Sequence, residues 1–144
     1  MITTVQLAAR CGLSMTVNLH FFAALFVTAV MIAGLDTAHG AEVPVTQPQR
    51  LSAEAQRGKA AFEQYCQQCH GDWGQGSQSG PPLIHKIYEP SHHGDAAFFF
   101  AITRGSRQHH WNFGNMPPQP QVKQDDIPAI IRFVREVQEV NGIR

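Results

Sequence analysis

The chain has 144 residues, 43% of them apolar, with 11 basic and 11 acidic side chains. The length fits one domain, and the even charge argues against a polyanion such as nucleic acid as partner. Charged residues make up only 15%, which excludes an extended disordered acidic or basic chain. Cys66 and Cys69 lie three apart and Cys11 stands alone. That is too few and too uneven for a disulfide framework, so the cysteines are read for chemistry.

Residues 11–35 contain no Asp, Glu, Lys or Arg, and residues 21–33 form an apolar run of thirteen downstream of Arg10. This is the length of a signal-peptide core, and Ala38-His39-Gly40 places small residues where a signal peptidase reads them. Cleavage after Gly40 leaves 104 residues starting at Ala41. The competing reading for residues 1–40 is an uncleaved anchor over residues 17–35, although Asn18, His20 and Thr28 dilute it. Both readings export the following domain, and the expected location is the periplasm. Cleavage also removes Cys11, Met1, Met15 and Met31, so the mature chain keeps two cysteines and a single methionine, Met116. Residues 41–51, with two prolines and two glutamines, read as a surface lead-in or tether to a domain over 52–144.

The first predicted helix covers residues 53–68, with Ser52 as N-cap, Glu54 suiting the dipole and strong helix formers throughout. Ala55, Phe62, Tyr65 and Cys69 share a face by spacing. Gly58 lies on the same face, where it costs about 1 kcal/mol against Ala, and close approach of another helix is a reason to keep it. A short second helix of about ten residues fits between Gly94 and Gly105, with Asp95 as a cap and Phe98, Phe99 and Ile102 on one side. The third spans about 124–140. Ile127, Ile130, Ile131, Val134 and Val137 recur at helical spacing, Asp125 and Asp126 suit its start, and Asn141-Gly142 ends it. Pro128 fits only in its first turn. No segment alternates with a period of two, so the fold class is all-α. Residues 71–94 and 105–123 are left as long loops rich in Gly, Pro, Gln, Ser and His, which a compact domain tolerates only if something organises them. A chain this small cannot easily bury a core of its own. A large apolar cofactor at the centre resolves both problems.

Cys66-Gln67-Gln68-Cys69-His70 is C-x-x-C-H, the attachment sequence of a c-type haem. At a helix end, residues i and i+3 project to one side, so two thiols reach two vinyl groups and the next residue supplies an imidazole to the iron. A zinc site fits poorly, because His85 and His92 are seven apart where a finger needs four to six. A thioredoxin-like pair lacks its βαβ context. A structural disulfide between the two cysteines would leave the loops unorganised.

With these residues in place, the chain resembles the class I, small mono-haem cytochromes c over about residues 52–142. The run from Arg57 to Gly71 looks like that family's N-terminal helix entering the haem site. Gly58 and Phe62 match its helix-crossing glycine and aromatic, and Phe133 matches the aromatic that packs across them. Gly80-Pro81-Pro82-Leu83 resembles the G-P-x-L segment, which implies that the Pro81 carbonyl accepts the ring N–H of His70 and so orients the ligand. Gly114-Asn115-Met116-Pro117 is similar to the segment that brings a methionine sulfur to the iron's other face. The resemblance implies a cytochrome c fold, about three main helices with long loops wrapped around one covalent haem c.

Met116 lies 46 residues after His70, in a polar Gly/Pro-rich loop where filling a core gap is an unsuitable role. It is expected as the sixth iron ligand, closing the iron to substrates and raising the potential relative to harder donors. His85, His92, His93, His109 and His110 are each an alternative sixth ligand, and otherwise read as solvated loop residues. The pairs His92-His93 and His109-His110 also open the reading of a copper or other metal site. Trp111 or Arg104 is a candidate donor to the haem propionates.

The expected function is a mono-haem carrier of single electrons between redox proteins, without a catalytic acid or base. Donor and acceptor dock transiently at the exposed haem edge. With Arg10 and Asp36 lost in the leader, ten basic and ten acidic residues remain, so steering falls to a local patch such as Arg104 and Arg107. The alternatives are a haem protein with an open or displaceable sixth position, peroxidase-like or gas-sensing, and a cytochrome partner of a copper oxidase.

Overall fold

A computed structural model describes residues 43–144; the leader read over residues 1–40, including Cys11, lies outside them. The described chain is helical: α1 (Ala53–Tyr65), α2 (Gln67–His70), α3 (Asp95–Arg104) and α4 (Ile127–Val140), with 3-10 turns at Lys86–Tyr88 and Gln124–Asp126. Among the described residues the only β feature is one isolated antiparallel bridge, Ser106 with Met116.

α1 starts as its sequence dictates, the Ser52 hydroxyl accepting the Ala55 N–H at 3.1 Å. It stops earlier than expected. Cys66 leaves helical geometry at φ −122° and ψ −33°, and the chain restarts as the single turn α2. The break rotates Cys69 off the face shared by Ala55 and Phe62, and Cys69 is exposed. α3 also corrects one expectation. Its N-cap is Gly94, and the Asp95 carboxylate instead accepts from Arg135 Nε at 2.8 Å. α4 follows the 3-10 turn with Pro128 in its first turn, where no backbone N–H is wanted.

The fold turns on the crossing of α1 and α4. A Cβ on Gly58 would fall 1.8 Å from the Ala129 carbonyl oxygen, so the two backbones touch where only hydrogen fits. Phe62 and Phe133 meet beside the crossing with ring centroids 5.1 Å apart, and Trp73 closes on Phe133 at 5.7 Å. Both phenylalanines are essentially fully buried, as are Ala55, Ile127, Val134 and Val137.

Residues 43–51 are a fastened lead-in rather than a tether. Val43 N–H bonds to the Gln75 carbonyl at 3.0 Å, and Thr46 and Asn141 exchange two bonds of 2.8 Å. The Ser52 N–H donates to Glu136 Oε2 at 2.9 Å, while Arg132 Nε donates to the other oxygen at 2.7 Å. Burial pushes the Glu136 carboxyl up, but the bonds from Ser52 and the Arg132 charge outweigh it and hold the group below its usual range.

Two outcomes follow. Gly58→Ala gains helix propensity but separates α1 from α4, a net loss of about 2 kcal/mol or more in urea unfolding. Glu136 has a folded pKa below its unfolded one, so its contribution is present above the unfolded pKa and fades as pH falls through the folded one. Glu136→Gln is therefore less stable than the parent at neutral pH, and the difference closes in acid unfolding curves.

Candidate functional site

Under the helix crossing lies a cavity of about 360 Å³. Its apolar wall takes Phe62 from α1, Leu83 from the first loop, Phe98 and Ile102 from α3, and Ile130 and Val134 from α4. The α4 stripe therefore serves twice, as core on one side and cavity wall on the other. Cys66, His70, Pro81 and Met116 all line the cavity; Cys69, on the exposed side of α2, is not part of its wall.

His70 ends α2, and the positive-φ Gly71 turns the chain away after it. Its Nδ1 lies 2.9 Å from the Pro81 carbonyl. Because a carbonyl only accepts, Nδ1 carries the hydrogen and Nε2 keeps its lone pair. Burial pushes the imidazole pKa down, partly offset by the bond to Pro81, so the ring is neutral, as metal ligation requires. Cys66 and Cys69 are free thiols. Burial, with a smaller push from Cys69, takes the Cys66 thiol up to about 12, which keeps it protonated.

Met116 enters from the far loop. It exchanges two backbone bonds of 2.9 Å with Ser106, pinning the loop's ends together. Gly105 makes this approach feasible. Its φ is +78°, and a Cβ there would lie 2.6 Å from the Met116 carbonyl oxygen. Within the loop, Gln108 N–H donates to Asn115 Oδ1 at 2.9 Å and Gly114 N–H to Gln108 Oε1 at 2.6 Å.

At the cavity's polar edge, the Trp111 Nε1–H is buried and completes no well-formed hydrogen bond. The neighbouring Tyr88 hydroxyl feels it: burial raises the phenol pKa and the indole N–H lowers it. A buried indole donor that the Tyr88 hydroxyl satisfies only weakly is what a carboxylate-bearing cofactor edge would complete. Arg104, the other expected propionate donor, stacks over Phe100 at 4.4 Å and is not part of the wall. Arg107 is.

The histidines part company. His85 Nδ1 accepts the Ile87 N–H at 3.2 Å and its ring meets the Trp111 edge-on. His92, His93, His109 and His110 cluster together. In His93 and His109 each Nδ1 sits on a backbone carbonyl, and the two Nε2 atoms face each other at 3.3 Å. Burial lowers the His93 pKa, the bond to Ile87 opposes it, and the charges of His92, His109 and Arg135 lower it further.

Two residues that organise the site had not been singled out in the sequence. Arg135 donates to the carbonyls of Tyr88 and His93 at 2.8 and 2.6 Å and to Gln138 Oε1 at 2.6 Å. The fully buried Gln138 donates to the carbonyls of Leu83 and Tyr88 at 2.9 and 3.2 Å. Together they fasten the first long loop to α4. The available signal was a polar side chain four residues after Val134 on an otherwise apolar stripe.

Cavity, free thiols, neutral imidazole and weakly satisfied indole donor fit one apolar, carboxylate-bearing, iron-holding group. Comparison with curated proteins gave no match. The chain does match the family described as Cytochrome c over residues 55–138, from the buried face of α1 to Gln138. The stretch contains the C-x-x-C-H motif, His70, Pro81 and Met116, and the chain belongs to the Cytochrome c family of covalent-haem electron-transfer proteins.

Proposed function

We propose that this chain is an exported, periplasmic mono-haem cytochrome that carries single electrons between redox proteins. The observation that carries the reading is the pairing, across one apolar cavity, of a neutral His70 oriented by Pro81 with a Met116 held by the Ser106 bridge. Cys66 and Cys69 would hold the haem covalently as thioethers, and His70 Nε2 and Met116 Sδ would be the ligands to its iron. The haem supplies a one-electron Fe(II)/Fe(III) couple.

The chain's own residues then do three things. Phe62, Leu83, Phe98, Ile102, Ile130 and Val134 exclude water from the iron, which favours the less charged ferrous state. The Pro81 carbonyl fixes the imidazole plane and makes His70 a stronger donor. Trp111, assisted by Tyr88, supplies a hydrogen bond to a propionate. None of these groups is placed as a general acid or base toward a substrate. Electrons enter and leave at the haem edge, where a redox partner docks over a small patch that includes Arg107.

An open or histidine-filled sixth position is the main alternative, since His109 and His110 also line the cavity. Against it, His109 has its Nδ1 on the Arg107 carbonyl and its Nε2 turned toward His93 Nε2, and no backbone bridge of the kind that holds Met116 fixes His110.

The ferric absorption spectrum tests the reading. The parent protein shows the sulfur-to-iron charge-transfer band and Met116→Ala abolishes it; a high-spin or bis-histidine spectrum in the parent overturns the proposal. A pyridine haemochrome assay with intact mass is expected to give one haem on a chain starting at Ala41. Gly105→Ala, which leaves every ligand in place, strains the backbone behind Met116 and is expected to weaken the band and lower the midpoint potential.

A further inference from the structure

Four imidazoles converge from two loops and take no part in the function proposed above. His93 lies against His92, His109 and His110 with ring centroids 4.6, 5.6 and 5.2 Å away, and His109 and His110 are 4.3 Å apart. His93 Nδ1 lies 2.7 Å from the Ile87 carbonyl, and His109 Nδ1 lies 2.7 Å from the Arg107 carbonyl. Each Nδ1 therefore carries its ring's hydrogen, and in the neutral rings both Nε2 atoms are bare lone pairs. Those two Nε2 atoms face one another at 3.3 Å.

Two lone pairs head to head repel unless a cation lies between them. Metal–nitrogen bonds of about 2.0–2.1 Å place two ligands of a tetrahedral site roughly 3.3 Å apart, the separation this pair already has. Anchoring Nδ1–H on a backbone carbonyl is also how proteins orient metal-binding histidines. Two further donors are at hand: one ring nitrogen each of His92, His93 and His110 lie within 4.8 Å of one another, and His109, outside that trio, has its ring 4.3 Å from that of His110. His92 and His110 are exposed, so rotamer changes bring them closer at little cost. The backbone beneath is firm, because Arg135 holds the His93 carbonyl at 2.6 Å.

The donor set selects the ion. It contains only imidazoles, whereas Ca²⁺ and Mg²⁺ require oxygen ligands. Neutral imidazole suits late first-row dications such as Cu²⁺ and Zn²⁺. We propose that His93 and His109, completed by His92 and His110, bind one late first-row transition-metal dication on the wall of the haem cavity. The site goes beyond electron carriage and rests on the reading that Met116, not His109 or His110, fills the sixth position on the iron.

The test is calorimetric titration of untagged, chelator-treated, haem-loaded protein with Zn²⁺, which is redox-silent toward haem, followed by metal analysis after desalting. One Zn²⁺ per chain is expected. His93→Gln with His109→Gln weakens binding about a hundredfold, and His92→Gln with His110→Gln weakens it less. An unchanged haem spectrum in each variant shows that it folds and keeps Met116 ligation a separate question. No stoichiometric binding by the parent assigns the His93–His109 contact to a shared proton and overturns the proposal. Parent-like affinity in the His93/His109 double variant overturns it equally.

Discussion

The contact between Gly58 and the Ala129 carbonyl is the constraint on which the rest of the molecule depends. With the two backbones in contact, the end of α1 is set relative to α4, and C-x-x-C-H sits at that end. The same crossing turns Ile130 and Val134 toward the cavity while Phe133, one position away, packs on Phe62 and Trp73. A side chain at residue 58 would move the thiols, the His70 imidazole and the cavity wall together.

The second organising element is polar. Long loops without regular structure leave backbone carbonyls that must be paired once buried. Arg135 and Gln138 meet this need from α4, collecting the carbonyls of Leu83, Tyr88 and His93. Most of the Arg135 contribution comes from those carbonyls, because its carboxylate partner Asp95 is largely exposed and exposed ion pairs contribute little. The distal loop is organised differently, by the Ser106–Met116 bridge and the Gln108 and Asn115 side chains. One loop is thus held by the helix behind it, the other by its own contacts and by the Gln119 N–H on the Ile102 carbonyl at 2.8 Å, and both line the cavity.

The histidines gain meaning from this division. His92 and His93 ride on the loop fastened by Arg135, and His109 and His110 on the loop that presents Met116. Their meeting joins the two loops at the cavity's edge. A cation held there would tie the loop over 71–94 to the loop over 105–123 at the cavity's edge.

Much of this was legible in the sequence, for a physical reason: helices, caps and covalent motifs depend on neighbours within a few positions. Ser52, the α4 stripe, Pro128 in a first turn, Asn141-Gly142 as a stop and C-x-x-C-H are all local patterns. Gly58 and Phe62 were legible through family resemblance, and so was the Pro81 carbonyl as partner of His70. What only the tertiary structure decided involves partners far apart in the chain. The break at Cys66, which puts Cys69 outside, reverses a face that spacing alone assigned. Asp95 turned from cap to partner of an arginine 40 residues away, and Arg104 stacks on Phe100, outside the cavity wall. No periodicity announces that Arg135 and Gln138 will serve the carbonyls of a distant loop. Nor does any motif say that two adjacent-histidine pairs, 16 residues apart between His93 and His109, will face each other lone pair to lone pair. Local spacing determines which element forms and which chemistry it bears; which groups meet is decided when loops close, because only then are distant backbone and side-chain partners desolvated together.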